Sequence, residues 1–190
     1  TFTFLKKIWH HALYIVNWSI RVGRQFKFLM VFLYAIVRYI LRVRYNVTVK
    51  YLTSIPTDKP ILFLPNHPAE IDPVLLMVNL GPKYFPRPMV VEHFYRLKGF
   101  QWILDLIGVI PIPTMEEKAN IWRGKEVAKI LSDVSLKIKN GENFLIYPAG
   151  KLKATGREQI GGASFVHNLL QVCPHINVVL VRTTGLWGSS

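Results

Sequence analysis

Short apolar runs that stop at proline or glycine constrain this chain more than any other feature. The run Ile61–Leu64 ends at Pro65, and the run Phe144–Tyr147 ends at a Pro-Ala-Gly sequence. Such runs, bounded by turn residues, are typical of buried strands. The segments between them have helical periodicity, and strands that alternate with helices predict a parallel sheet. The sequence therefore predicts an α/β fold with a mixed, mostly parallel sheet flanked by helices.

The remaining elements follow from the same two periodicities. Strict alternation over Val43–Tyr51 predicts a strand with one solvent-facing side at the sheet edge. Thr114 and Glu117 have the spacing of a capping box, and Gly141 ends the helix that follows. Further strands are predicted at Met89–Val91, Val109–Ile112 and Val178–Thr183, and further helices from Pro73 onward, at Phe94–Leu106 and at Ala163–Val172.

The amino-terminal region combines positive charge with long apolar runs. Of a net charge of +13, residues 1–57 contribute nine Lys or Arg and no acid. Helical runs at Phe4–Ile20 and Phe26–Leu41 are separated by Arg21–Arg24, and a nucleic-acid-binding arm would contain fewer aliphatic residues. We expect residues 1–41 to form a two-helix hairpin at an anionic membrane surface, and residues 42–190 to form the α/β domain.

The longest apolar run in this region is too short for a simple membrane span. Phe28–Val37 is flanked by Lys27 and Arg38, and a spanning helix needs about 20 apolar residues. An interfacial or re-entrant hairpin is therefore preferred to a true span, and packing of both helices on the domain is the alternative. The single cysteine, Cys173, excludes an internal disulfide, fits a reducing compartment and is predicted to be a buried filler. We expect the cytoplasmic face of a membrane, and a domain truncated at its carboxyl terminus.

His67 and Asp72 are the candidate catalytic pair. Asp72 and Pro73 predict a helix start, with Asp72 as the N-cap and Pro73 at the first helical position. His67 then lies in a loop at a strand end, where open α/β folds place ligands. Histidine titrates near neutral pH, so His67 is a candidate general base oriented by Asp72. In the alternative, Asp72 is only a cap and His67 is only a loop histidine, and the spacing alone leaves both open.

A polar, glycine-containing loop follows the second buried run. It carries Lys151, Lys153 and Arg157 and emerges from a strand end, which suits a phosphate or another anion. A solvated surface loop is the alternative interpretation. If the two buried strands are neighbours, this loop and His67 face one crevice.

Four sequence blocks stand out along the chain. The first is Asn66-His67 with Asp72, the second is Gly108–Thr114, the third is Tyr147-Pro148-Ala149-Gly150-Lys151-Leu152, and the fourth is Val178–Arg182. These blocks resemble, in order, the His-x4-Asp motif and the second, third and fourth motifs of the glycerolipid acyltransferase family, which contains the lysophosphatidic acid acyltransferases. The order and spacing of the blocks fit from about Val47 to Thr183, and the amino-terminal helices are similar to that family's membrane hairpin.

The resemblance implies a membrane-associated acyltransferase of phospholipid synthesis or recycling. A fatty acyl group would pass directly from acyl-CoA or acyl carrier protein to a lysophospholipid hydroxyl, with backbone N–H groups around Gly150 stabilising the oxyanion. The thioester is a co-substrate, and no cofactor, metal or nucleic-acid partner is expected. The implied catalytic residues are His67 and Asp72, and the implied substrate-binding residues are Asn66, Tyr147, Pro148, Ala149, Gly150, Lys151, Lys153 and Arg157.

The third block departs from the family pattern in ways that bear on the acceptor. Ala149 stands where the family has a glutamate, and neither the second nor the third block has its usual arginine. Lysine is a point charge where arginine offers a bidentate fork. The variant is more similar to the acyltransferase portion of proteins that recycle 2-acylglycerophosphoethanolamine. A catalytically inactive lipid-binding relative is the main alternative, with a hydrolase and a basic nucleic-acid binder as further ones.

Overall fold

The computed structural model describes residues 26–97, 99, 101–113, 121–150 and 164–186. The strands are β1 at Ile61–Pro65, β2 at Arg87–Val91, β3 at Ile110–Ile112, β4 at Phe144–Leu145 and β5 at Asn177–Val181. The helices are α1 at 26–41, α2 at Asp72–Tyr84, α3 at Glu92–Tyr95, α4 at Gln101–Ile107, α5 at Ile121–Lys139 and α6 at Ser164–Val172, with a 3-10 turn at Leu52–Ser54.

The five strands form one sheet in the order β3-β2-β4-β1-β5, and every ladder in it is parallel. This confirms the predicted α/β class and its flanking helices; the antiparallel component implied by a mixed sheet is not seen among the described strands. The connection from β1 through α2 leads to β2 and so moves toward the β3 edge of the sheet. The connection from β4 through α6 leads to β5 and so moves toward the opposite edge. Because such crossovers are right-handed, α2 lies on one face of the sheet and α6 lies on the other.

Side chains on the two faces of the central strands fill two separate cores. Leu62 of β1 and Phe144 of β4 are buried on the face where α5 supplies Val134 and α6 supplies Leu169. Phe63 points to the opposite face and meets Tyr84 of α2 edge-on, with 5.4 Å between ring centroids. Burying a side chain of this size stabilises the fold by roughly 1.5–3 kcal/mol.

Asn143 fixes how the central strands begin. Its Oδ1 accepts a hydrogen bond from the Ile61 N–H at 2.8 Å, and its Nδ2 donates to the Tyr84 carbonyl at 2.6 Å. Its own carbonyl accepts from the Arg87 N–H at 2.8 Å. One residue therefore ties the start of β1, the end of α2 and the start of β2 to the entrance of β4.

Cys173 lies at the end of α6 and is buried with the α5–α6 core, as predicted. Burial raises the pKa of the Cys173 thiol, with a smaller opposing effect from Lys139. A thiol of this kind packs as a small apolar side chain.

The strand predicted over Val43–Tyr51 is wrong. Residues 45–50 have no regular secondary structure, and Tyr51 adopts a left-handed conformation with φ of 62° at the start of the 3-10 turn. Val43 and Tyr51, on the face predicted to be buried, are 88% and 80% exposed. Alternation makes a segment suitable for a half-buried strand, but a strand also needs a neighbour to complete its backbone hydrogen bonds.

The helix predicted over Phe94–Leu106 is two short helices, α3 and α4. Gly99 lies between them with φ of +89°, a conformation outside the α-helical region that glycine adopts without a Cβ clash. The strands predicted at Met89–Val91, Val109–Ile112 and Val178–Thr183 are present as β2, β3 and β5, within a few residues at their ends. The helices predicted from Pro73, before Gly141 and at Ala163–Val172 correspond to α2, α5 and α6.

The chain divides into two compact units, Thr1–Val47 and Thr48–Ser190. In the first unit, the side chains of Met30 and Tyr34 are buried; they lie one helical turn apart on α1. Burial raises the pKa of Tyr34 to about 12. Apolar side chains such as Phe28 and Phe32 are exposed on α1. The helix predicted at Phe4–Ile20 and the capping box at Thr114 and Glu117 lie outside the described residues, so the hairpin and the predicted domain roles stay predictions.

Within the described part of the chain, every helix falls short of the length or the apolar character that crossing a membrane requires.

Candidate active site

The candidate site lies where β1 and β4 end side by side. Phe63 of β1 is in register with Leu145 of β4, and the Ile146 N–H continues the ladder by donating to the Phe63 carbonyl at 3.0 Å. Both strands are parallel, so the loops that follow them leave from the same edge of the sheet. His67 comes two residues after β1, and Tyr147 comes two residues after β4.

His67 and Asp72 form a hydrogen-bonded pair. The Nδ1 atom of His67 lies 3.0 Å from Oδ2 of Asp72, whose side chain is 0% exposed, whereas that of His67 is 17% exposed. An ionised carboxylate only accepts hydrogen bonds, so Nδ1 carries the proton in the neutral ring. The lone pair of that tautomer is on Nε2, the nitrogen required of a general base.

Asp72 is not the N-cap that the sequence predicted. It is the first residue of α2, Ile71 occupies the cap position, and no side-chain cap bond is formed there. Both carboxylate oxygens are instead directed at side chains from outside the helix. The positive end of the α2 dipole remains close to the charge and favours it.

Tyr147 contacts this pair from the loop that follows the neighbouring strand β4. Its hydroxyl donates a hydrogen bond to Oδ1 of Asp72, so each carboxylate oxygen accepts one side-chain bond. Its ring also stacks on the imidazole of His67, with 4.2 Å between centroids and an interplanar angle of 32°. The three side chains make one contiguous group that links the first and third sequence blocks.

Asn66 directly precedes His67 and is hydrogen-bonded to the end of a third strand, β5, and to the residue Thr183 beyond it. Its Nδ2 donates to the Thr183 carbonyl at 2.9 Å, and its Oδ1 accepts from the Thr183 N–H at 2.6 Å. Its backbone N–H donates to the Val181 carbonyl at 3.2 Å. The side-chain amide of Asn66 is therefore directed at the segment that follows β5, and these three hydrogen bonds position the loop. The predicted role of Asn66 in substrate binding stays a prediction.

The sequence model of the acyltransferase family matches residues 46–181. This span contains the candidate site and most of the chain. The protein belongs to the acyltransferase family. No curated protein and no solved structure gives a significant match to it.

In this acyltransferase the third block begins as a tight turn. Gly150 has φ of +65°, and its N–H donates to the Tyr147 carbonyl at 3.1 Å. The Gly150 N–H is therefore already hydrogen-bonded within the turn. Of the backbone N–H groups around Gly150 that were predicted to stabilise an oxyanion, this one is occupied. Pro148 and Ala149 are partly buried within the turn. The predicted anion-binding residues Lys151, Lys153 and Arg157 lie outside the described residues.

The second block of the acyltransferase is supported by Arg87. Gly108 precedes β3 with φ of +77°, and its carbonyl accepts from Arg87 Nε at 2.8 Å. A Cβ at position 108 would lie 3.1 Å from that Nε, so glycine permits the close approach. Arg87 also pairs with Glu142 at 2.9 Å and thereby links β2, the second block and the turn before β4.

Two contacts of the candidate site were not predicted from the sequence. The Tyr147–Asp72 bond joins residues 75 positions apart, and the Asn66–Thr183 bonds join residues 117 positions apart. A short motif carries no signal for partners at such separations. Among the described residues, no group of three or more His, Cys, Asp or Glu side chains is placed to hold a metal ion.

Proposed function

We propose that this acyltransferase is membrane-associated and moves a fatty acyl group from acyl-CoA or acyl carrier protein to a hydroxyl of a lysophospholipid. The observation that carries the proposal is the His67–Asp72 pair at the end of β1 in a chain of this family. A histidine whose Nδ1 is held by a buried carboxylate can accept a proton at Nε2. The family membership supports acyl transfer, and the base supports an alcohol as acceptor.

The proposed reaction is a direct transfer without an acyl-enzyme. Nε2 of His67 removes the hydroxyl proton as the acceptor oxygen attacks the thioester carbonyl. The tetrahedral intermediate then collapses, the C–S bond breaks, and the thiolate leaves with the proton returned by the imidazolium. Asp72 stabilises the imidazolium between these two steps, because its negative charge is held 3.0 Å from Nδ1.

The acceptor is proposed to be a lysophospholipid such as 2-acylglycerophosphoethanolamine. Three observations support this acceptor class over lysophosphatidic acid: Ala149 replaces the usual glutamate, and the usual arginines of the second and third blocks are missing. Lys151, with Lys153 and Arg157, would interact with a single phosphodiester charge. A phosphomonoester favours the bidentate geometry of arginine.

The membrane surface is proposed as the place of reaction, on the cytoplasmic side. The first 57 residues carry nine basic side chains and no acidic one. On α1, exposed Phe28, Phe32 and Tyr39 accompany this charge. Aromatic and basic side chains together favour an anionic lipid interface.

A panel of lysophospholipids, offered with acyl-CoA and then with acyl carrier protein, tests the proposal. Mass spectrometry of the lipid products is expected to detect a diacyl phospholipid with at least one pair. Free fatty acid formed equally with and without acceptor would instead establish a thioester hydrolase.

A catalytically inactive lipid-binding relative is the second candidate, favoured by the same departures at Ala149 and at the missing arginines. It predicts binding of the protein to lysophospholipid vesicles with no turnover of any thioester.

A further inference from the structure

Tyr147 makes two contacts with the proposed catalytic pair and was expected only to bind substrate. Its hydroxyl donates to Oδ1 of Asp72, and its ring lies against His67 with 4.2 Å between centroids. Asp72 has no exposed surface, so its carboxylate depends on hydrogen-bond donors supplied by the protein. We infer that Tyr147 is a positioning residue, which orients His67 and Asp72 from the loop after the neighbouring strand; this inference rests on the proposed function.

The geometry gives the hydroxyl and the ring separate tasks. The hydroxyl fixes the rotation of the carboxyl group, because Oδ1 faces Tyr147 while Oδ2 faces His67. The ring limits the tilt of the imidazole by covering one of its faces. A base whose Nδ1–H is held by a fixed carboxylate presents Nε2 in one direction, which lowers the cost of reaching the reactive geometry.

The hydroxyl also affects the charge that Asp72 presents to the imidazolium. A hydrogen bond donated to Oδ1 spreads part of the negative charge away from Oδ2. Without that bond the carboxylate interacts more strongly with protonated His67, and the neutral base is reached only at higher pH. The acid limb of the pH–rate profile reports this change.

Tyr147→Phe in the full chain removes the hydroxyl and keeps the ring. We expect kcat to fall about tenfold, since hydrogen bonds to charged groups are among the stronger ones, while KM changes by less than about twofold. The acid limb of kcat against pH should move to higher pH. Tyr147→Leu, which also removes the stacked ring, should lower kcat further.

Tyr84→Phe is the matched control. The Tyr84 hydroxyl donates to the Leu52 carbonyl at 2.7 Å, and its ring is buried against Phe63. The variant loses the same atom from a hydrogen-bonded tyrosine at the opposite end of α2. It is expected to lower thermal stability without moving kcat or the pH profile.

Heteronuclear NMR of the His67 ring nitrogens against pH supplies a readout that needs no substrate. The Tyr147→Phe variant should shift this titration to higher pH, in parallel with the rate profile. A raised KM with unchanged kcat would overturn the inference and return Tyr147 to substrate binding. An unmoved His67 titration would also overturn it. If the wild-type protein transfers no acyl group, the proposed function fails, and the NMR titration alone decides the role of Tyr147.

Discussion

The loop after β1 and the loop after β4 leave the same edge of the sheet but are held in different ways. The first loop, residues 66–71, is fixed at its start by three hydrogen bonds between Asn66 and either β5 or the segment after it, two donated and one accepted by Asn66. At its end it passes into α2, where Asp72 is buried. The second loop begins at Tyr147, and the structure describes it as far as Gly150. Over these residues it is held by the hydrogen bond from the Gly150 N–H to the Tyr147 carbonyl and by the hydrogen bond from Tyr147 to Asp72.

This difference fits two distinct roles proposed for the loops, catalysis for the first and recognition of the acceptor for the second. The first loop carries the proposed base, is hydrogen-bonded to the end of β5 at its start and passes directly into α2 at its end, which suits a group whose position must not vary. The second loop contributes one anchored residue and then the sequence proposed to recognise the acceptor. Substitutions in the first loop are therefore expected to change the rate of transfer, and those beyond Tyr147 are expected to change which acceptor is used.

Replacement of His67 gives the largest expected effect. His67→Ala should lower kcat by about 1,000-fold, because the proposed general base is lost. Thioester-dependent transfer is measured with the protein in membranes. His167→Ala, at an exposed position on α6, is the control and should keep wild-type activity. Substantial acyl transfer by the His67→Ala variant would contradict the proposed catalytic role of the first loop.

Replacement of Asp72 ranks second. Asp72→Asn keeps the shape of the side chain but removes the charge that stabilises the imidazolium, so kcat should fall about 100-fold. The amide can also present its NH2 group to Nδ1 and favour the wrong tautomer of His67. The pH–rate profile and the melting temperature are measured beside Asp133→Asn, an exposed change on α5. Wild-type kcat in Asp72→Asn would leave Asp72 a structural residue alone.

Replacement of Asn66 tests whether the anchoring of the first loop matters. Asn66→Ala removes both bonds to Thr183, and we expect kcat to fall about tenfold with a loss of roughly 1–3 kcal/mol in stability. KM for the acceptor should change less than kcat. Asn79→Ala is the control, because its Nδ2 donates within α2 to the Leu75 carbonyl, at 2.7 Å. A rise in acceptor KM without a change in kcat would favour the substrate-binding role first predicted for Asn66.

The smallest expected effect belongs to the second loop. Ala149→Glu adds a negative charge without the arginines that accompany it in the family, so use of lysophosphatidic acid should fall relative to lysophosphatidylethanolamine. The change should be no more than about fivefold and should weaken with salt. Ala149→Gln adds a similar volume without charge and should leave the ratio unchanged. Equal ratios in all three proteins would make the Ala149 substitution incidental to acceptor choice.

Elements with strong local signals were predictable from the sequence. The runs Ile61–Leu64 and Phe144–Tyr147 are short, apolar and bounded by turn residues, which favours buried strands, and both contribute to central strands. The helix before Gly141 carries a regular apolar face and ends where that glycine adopts φ of +89°. His67 was identifiable because its position after a buried strand follows from the Pro65 stop.

Elements whose formation depends on a distant partner were not predictable. The alternation in Val43–Tyr51 is as regular as that of a real strand, but no strand forms there. The carboxyl group of Asp72 had a local interpretation as a cap, yet Tyr147 and His67 take both its oxygens. Local pattern gives the preference of a segment, and the competition among available partners decides its structure.

The sequence by itself determined the α/β class, the strand-loop-helix unit that carries His67 and Asp72, and the second buried run that ends at Tyr147. These depend on the order of apolar and turn residues along short stretches, where burial and backbone geometry act locally. Only the tertiary structure decided that β1 and β4 are neighbours, that Tyr147 donates to Asp72, and that Asn66 is tied to Thr183. Those contacts join residues far apart in the chain, and they arise because the parallel ladder brings separate strand ends to one edge.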